Sequence, residues 1–419
     1  MKLYTVAVLG ATGAVGREML KVLEERNFPV GKLIPLASAR SAGKTMKFKG
    51  EDVVIREACD QAFEGVDIVL GAAENDIAKK FAPAIVRAGA VFVDNSSAFR
   101  MDPKVPLIVP EVNAEDVKNH NGIISNPNCS TIITITAVNA LNAIAPIRSM
   151  TASTYQAVSG AGAGGPIELM GEVEALSKGE SYEPKIFPYQ IAYNLIPQIG
   201  GETFEGYTSE EMKMQNEGRK IMHLPELTVS CTCIRVPVIR SHSISVSLHF
   251  DVPVTVEQVD ALREGRKPEV KVFQHQIAFN VIPQIGGDAF EGYTSEEMKL
   301  QNEGRKIMHL PELKVSCTCV RVPVVRSHSV SIVVRTKEKI SVERARELIA
   351  NAPGCRLVDE LAAKRYPMPL DTSDQDIVFV GRIREDLTCD RGLNIWCCGD
   401  QVRKGAATNA VQIAELLVK

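Results

Sequence analysis

Residues Gln190–Ser245 return as Gln276–Ser331, 86 positions later, with 47 identities in 56 positions and no gap. Seven of the nine differences are conservative: Tyr193/Phe279, Leu195/Val281, Glu202/Asp288, Met214/Leu300 and three Ile/Val exchanges. Weaker similarity runs on through PVTVEQVDALRE against KISVERARELIA, so the repeated units span 185–270 and 271–356. Each reads as a loop, a helix, two strands and another helix. Two copies do not make a solenoid, which needs more units to bury a continuous core. This is a tandem duplication inside one domain. A sheet has one slot for a given strand, so one copy must be extruded, extend a sheet edge or swap into a neighbour.

The 419 residues suit two or three domains, and 45% hydrophobic with 24% charged residues is the composition of an ordinary globular chain. A net charge of −3 argues against a nucleic-acid or membrane surface role. The start, MKLYTVAVLGATG, reads as a first strand and its loop and not as a signal peptide. The uncharged run 130–147 carries Thr and Asn and includes Pro146, which suits a buried helix better than a membrane span. Ten cysteines without a secretion signal suggest free thiols in a reducing, cytoplasmic setting. Cys231/Cys233 and Cys317/Cys319 lie in strand-like text without a matching pair at zinc spacing, and read as small buried hydrophobes; no metal site is expected.

The first third alternates TVAVLG, REMLKVLEER, KLIPLAS, VDIVLGAA, IAKKFAPAIVRAG and AVFVDNS, strand against helix. That pattern predicts a parallel sheet covered by helices, an α/β Rossmann-type domain over 1–128. From Ser149 longer alternating strands take over, predicting an α+β catalytic and dimerisation domain with a mixed sheet over 129–402. The closing helix, 403–419, is assigned to the first domain, although its Ala and Leu face suits either.

Gly10-Ala-Thr12-Gly13-Ala14-Val15-Gly16 follows a predicted strand and opens a helix. There the glycines allow a tight turn and let backbone N–H groups approach a pyrophosphate. The second strand ends in Ser38-Ala-Arg40-Ser41-Ala-Gly-Lys44, cationic and rich in hydroxyls, where a ribose-binding carboxylate would select NAD. A 2′-phosphate suits this set, so NADP is the expected cofactor; the competing reading is a solvated basic loop.

Ser125-Asn-Pro-Asn128-Cys129-Ser130-Thr131 delivers a cysteine to the first turn of the helix that begins near Ser130. A helix N-terminus favours a thiolate and can stabilise an oxyanion. A nucleophile needs a proton-transfer partner, and His242 and His328, each within Arg-Ser-His-Ser, are the candidates. His223 and His309 repeat at helix ends, where capping is expected, and His120, His249 and His275 belong to no constellation.

Together GATGAVG, ASARSAGK, NSSAFR, SNPNCST, YQAVSGAGAGG, EEMK, RVPV followed by RSHS, and RKGAATNAVQIAELL resemble the aspartate-β-semialdehyde dehydrogenase family over nearly the whole chain. Without one repeat the chain would have 333 residues, a natural size for such a subunit. The resemblance implies NADPH-dependent reductive dephosphorylation of L-aspartyl-4-phosphate, releasing phosphate. Cys129 would form a thioester, Gln156 would orient the acyl group, and the RSHS histidine would act as acid and base. Arg100 and the EEMK lysine would hold the phosphate. The arginine seven residues before the histidine would pair with the α-carboxylate, assisted by the first EEMK glutamate. Asn128 and Gln401 would join the cofactor contacts, and a homodimer or homotetramer would form. The alternatives are an N-acetyl-γ-glutamyl-phosphate reductase-like enzyme, whose family tends to show Gly in place of Asn128, and an NADP-binding protein impaired by the duplication.

The duplication supplies every such residue twice: Glu210, Lys213, Arg235 and His242, then Glu296, Lys299, Arg321 and His328. Both glutamate–lysine pairs are i,i+3 neighbours on a helix, and outside the resemblance either reads as a surface salt bridge. The first copy continues from family-like text upstream. The second runs on into ISVERARELIANAPGCRLVDE, and this continuity slightly favours the second copy as the working one.

Overall fold

The computed structural model describes residues 2–142, 145–250 and 280–409. His275 and the helical text 253–264 lie outside the described residues, as does 410–419 of the closing helix. The chain forms two compact units, Met1–Arg148 with Lys213–Leu227, and Ser149–Met212 with Thr228–Lys419.

In the first unit, β1 (Tyr4–Leu9), β2 (Val30–Ala37), β5 (Arg56–Glu57), β6 (Ile68–Gly71), β7 (Val91–Asp94) and β8 (Ile123–Ser125) form one sheet. Their order is β5-β2-β1-β6-β7-β8, and every pairing is parallel. Helices α1 (Ala14–Glu25) and α2 (Asn75–Arg87) follow β1 and β6. Leu20 and Leu23 of α1 pack with Val6 and Val8, while Phe81 and Ile85 of α2 pack with Ala7, Leu9 and Phe92. Alternate residues of β1 therefore feed opposite faces, as the period-two pleat requires. An antiparallel hairpin, β3 (Thr45–Phe48) with β4 (Glu51–Val54), also belongs to this unit and has no counterpart in the sequence expectation. The short α3 (Pro110–Asn113) precedes β8, and α4 (Cys129–Asn142) follows it. This unit runs to Arg148, so the expected boundary at 128 moves past α4.

In the second unit, β9 (Ile147–Gln156) lies between β12 (Thr228–Arg235) and β13 (Ser243–Phe250). Helix α5 (Gly164–Ser177) follows β9. The hairpin β10 (Glu202–Phe204) with β11 (Tyr207–Thr208) leads into α6 (Ser209–Ile221), whose last residues belong to the first unit. The second copy rebuilds the hairpin as β14 (Asp288–Phe290) with β15 (Tyr293–Thr294), and rebuilds the helix as Ser295–Ile307. Its next text, the counterpart of β12, is not a strand. Its last segment is β16 (His328–Arg335), which joins β17 (Cys355–Leu357), β18 (Val378–Glu385) and β19 (Gly392–Gly399) in the order β16-β19-β18-β17. The duplicated RSHS strand is thus used twice, once beside β9 and once beside β19. Of the closing helix, the described turn Arg403–Ala407 is tied to Asp376 of its own unit by the 2.8 Å Arg403 ion pair.

Polar contacts internal to a copy recur, whereas several polar contacts beyond it are made, among the described residues, by the first copy alone. Tyr207 and Tyr293 each meet a serine hydroxyl at 3.1 Å. Glu211 and Glu297 each accept from the backbone of the second cysteine of their copy, at 3.1 and 2.8 Å. Among the described residues only Glu211 gains cationic partners: it pairs with buried Arg382, and Arg384 stands 3.7 Å away. Asn394 donates to Ser230 and Tyr207 at 2.6 and 3.0 Å, again of the first copy.

Candidate active site

In the first unit Gly10 adopts φ +85°, and a Cβ there would stand 2.7 Å from the carbonyl oxygen of Ala72. A Cβ on Gly16 would collide with the carbonyl oxygen of Gly10. The turn therefore requires glycine at both positions, for conformation and for close approach. Gly13 caps α1 without a side-chain hydrogen bond, and no acidic residue occupies the first turn. The N–H groups of Ala14, Val15 and Gly16 consequently have no intrahelical acceptor. Beside them a cavity of about 490 Å³ has Thr12, Arg17, Lys21, Glu24, Ser41, Lys44 and Lys47 in its lining, four cations against one carboxylate. Ser38 and Arg40 are exposed on the short turn that carries Ser41. A cradle that side chains would fill, an uncapped helix start and a cationic cavity fit a nicotinamide dinucleotide. Arg17, Lys21 and Lys47 were not singled out in the sequence, where they look like ordinary surface cations.

Cys129 is exposed and is the first residue of α4. Buried Asn128 caps that helix: its Oδ1 accepts from the backbone N–H groups of Ser130 and Thr131 at 3.0 and 3.2 Å. The backbone N–H of Asn128 donates to Oε2 of Glu217 at 2.7 Å, and the other oxygen of Glu217 takes Nη1 of Arg100 at 3.0 Å. Arg100 also donates from Nε to the carbonyl of Ser96 and from Nη2 to that of Asn95, at 3.0 and 2.9 Å. Among the described residues three of its five N–H groups are used, which leaves two for a ligand. Burial pushes the Glu217 carboxyl up, against the pull of Arg100 and, more weakly, of Lys213. Glu217 sits in the surface-like text NEGRK and gave no signal in the sequence.

In the second unit four expected residues meet. Gln156 ends β9, and its Nε2 donates to Oε1 of Glu210 at 3.2 Å. Arg235 ends β12 in parallel register with Gln156, and its Nη1 donates to the carbonyl of Ala157 at 2.6 Å. Nδ1 of His242 accepts from the backbone N–H of Ala157 at 3.0 Å, which leaves the imidazole proton on Nε2. Gly160 closes the group: a Cβ there would approach Arg235 Nη1 to 2.8 Å and the His242 ring to 3.3 Å. Burial lowers the pKa of His242, Arg235 lowers it further, and Glu210 opposes both.

The second set is arranged differently. Lys299 pairs with Glu296 at 2.8 Å on an exposed helix face, the surface salt bridge that such spacing also suggests. His328 begins β16, where burial and then Arg321 lower its pKa. The adjoining Ser327 donates its backbone N–H to Oε1 of Gln401 at 2.7 Å, so that oxygen is engaged within this unit. Downstream continuity favoured the second copy; it is the first whose glutamate, arginine and histidine gather around Gln156. The reason lies in strand pairing: β12 forms a strand beside β9, and its counterpart in the second copy does not.

Two family models match the chain. One, described as the semialdehyde dehydrogenase NAD binding domain, covers residues 5–120. The other, described as the semialdehyde dehydrogenase dimerisation domain, matches twice, over 138–267 and 255–404. The aspartate-semialdehyde dehydrogenase of Aquifex aeolicus is 41% identical over 419 residues, covering 99% of this chain and 98% of the relative. That of Synechocystis is 40% identical over 414 residues, covering 99% and 97%. A solved structure of aspartate semialdehyde dehydrogenase II from Vibrio cholerae, complexed with ASA, is 34% identical with a TM-score of 0.56, covering 100% of this chain and 99% of that one.

Proposed function

The chain belongs to the aspartate-semialdehyde dehydrogenase family of oxidoreductases, and from that premise we propose that it reduces L-aspartyl-4-phosphate to aspartate 4-semialdehyde using NADPH, with the first copy supplying the active residues. The observation that carries the choice of copy is the convergence of Glu210, Arg235 and His242 on Gln156 and the Ala157 backbone.

Cys129, exposed at the start of an Asn128-capped helix, attacks the acyl phosphate; a C–S bond forms, the C–O bond to phosphate breaks, and a thioester results. Arg100 and Lys213 bind the phosphate, and Arg235 with Glu210 binds the α-carboxylate and α-amine. NADPH, when bound, would supply the hydride that reduces the thioester. Gln156 orients the thioester carbonyl; the Nε2–H of His242 hydrogen-bonds the developing alkoxide and stays on the imidazole as the carbonyl re-forms, the C–S bond breaks and the Cys129 thiolate leaves. The cationic cavity of Arg17, Ser41, Lys44 and Lys47 supports NADP over NAD, since a 2′-phosphate needs cations and hydroxyls. A homodimer or homotetramer in a reducing cytoplasm completes the proposal. None of the described cysteines is in a disulfide, and among the described residues no helix is long and apolar enough to cross a membrane.

The test is phosphate-dependent oxidation of aspartate 4-semialdehyde, followed at 340 nm with NADP and with NAD. Turnover with NADP that vanishes in Cys129→Ala supports the proposal. Absence of turnover in the unaltered chain, with NADP still bound, would mean that the duplication disables the enzyme.

A further inference from the structure

We propose that Glu217 is a positioning residue that holds the phosphate-binding guanidinium and the nucleophile's turn in one fixed relation. The inference rests on Arg100 as a phosphate ligand and Cys129 as the nucleophile. Glu217 is 2% exposed, and its two oxygens have separate tasks. Oε1 takes Nη1 of Arg100 at 3.0 Å, and Oε2 takes the backbone N–H of Asn128 at 2.7 Å, one residue before Cys129. A buried carboxylate is costly unless charged and hydrogen-bonded partners compensate, and here the partners are two parts of one reaction site. Arg100 is otherwise pinned by the carbonyls of Asn95 and Ser96, so Glu217 fixes the last freedom of its plane.

Lys220 supports the same loop from the next turn of α6, with Nζ at 2.7 Å from the carbonyls of Arg100, Asp102 and Val105. A side chain with only a packing role would not bridge a ligand-binding arginine to the nucleophile's own loop. The duplication supplies an internal control, because Glu303 is the same residue in the same local sequence and is exposed.

The experiment compares Glu217→Gln, Glu217→Asp and Glu303→Gln in the full chain. Phosphate protection of Cys129 against iodoacetamide, read by peptide mass spectrometry, reports phosphate binding without turnover. Losing a charged hydrogen bond predicts that the half-protecting phosphate concentration rises about tenfold in Glu217→Gln. The phosphate KM should rise in parallel, while the semialdehyde KM stays within twofold. Glu217→Asp, which cannot span both partners, should fall between, and Glu303→Gln should match the unaltered chain. In an Arg100→Ala background Glu217→Gln should add no further loss of protection. Unchanged protection in Glu217→Gln overturns the proposal and leaves the enzyme assignment standing. Failure of phosphate to protect the unaltered chain overturns both. Collapse of both Glu217 variants, seen as lost circular dichroism, would make Glu217 a folding residue and overturn the proposal.

Discussion

Ile221 and Ile307 hold the same place in two copies of one helix, yet Ile221 is fully buried and Ile307 is 73% exposed. Met222 and Met308 differ in the same way, at 6% and 60%, as do Met214 and Leu300, at 1% and 47%. Local propensity is the same in both copies, so tertiary partners alone decide the difference. Ile221→Ala should therefore destabilise the protein by about 2–5 kcal/mol, the usual cost of truncating a buried isoleucine. Ile307→Ala should change stability by less than about 0.5 kcal/mol, as exposed substitutions do. Denaturant melts of the two variants check this, and equal losses would refute the asymmetry.

The histidines should separate in turnover as the isoleucines do in stability. His242→Asn removes the imidazole that faces Arg235 and Gly160, and acid–base catalysis contributes roughly 10²–10⁴-fold. The expected outcome is a loss of that order in kcat for phosphate-dependent semialdehyde oxidation. His328→Asn should stay within about twofold. Equal, full losses in both variants would refute the single-copy assignment.

Much of this was legible in the sequence, for physical reasons. Strand–helix alternation fixes a parallel sheet, and the strand–glycine–helix order places the cradle of Gly10 and Gly16 where it is found. Asn128-Cys129-Ser130 reads as a helix start, and α4 begins at Cys129. The occupancy of the two copies was not legible, because their letters are the same. It depends on groups remote in sequence, such as Arg382 against Glu211, 171 residues away. Glu217 is not legible in the sequence because helix text rich in polar residues looks solvated until something distant buries it. The β3–β4 hairpin was hidden by short, charged strands with weak alternation.

Charge at the cavity beside α1 should select the cofactor. Lys44→Ala or Arg17→Ala removes a cation from its lining. If each such contact to a 2′-phosphate is worth about 1.5–3 kcal/mol, the KM for NADPH should rise by roughly ten- to a hundredfold. The KM for NADH should hardly move. An equal effect on both cofactors would assign these cations to the pyrophosphate or to packing.

The pH dependence of His242 follows from its surroundings. Burial comes first and Arg235 second in lowering its pKa, so the folded protein keeps a neutral imidazole below the ordinary histidine value of 6.5. The unfolded chain binds this proton near 6.5 and the folded chain does not. Above 6.5 both states are neutral and the group contributes nothing; as pH falls below 6.5 it destabilises the fold, until the folded pKa is passed. The acid limb of semialdehyde oxidation, which needs the neutral imidazole with Nδ1 accepting from Ala157, should accordingly lie below pH 6.5. Arg235→Gln removes the second cause and should move that limb toward higher pH while turnover falls. A histidine NMR titration, with the His242 signal assigned by its loss in His242→Asn, checks the shift independently of activity. A His242 pKa that falls when Arg235 is neutralised would contradict the proximity of the two side chains around Gly160.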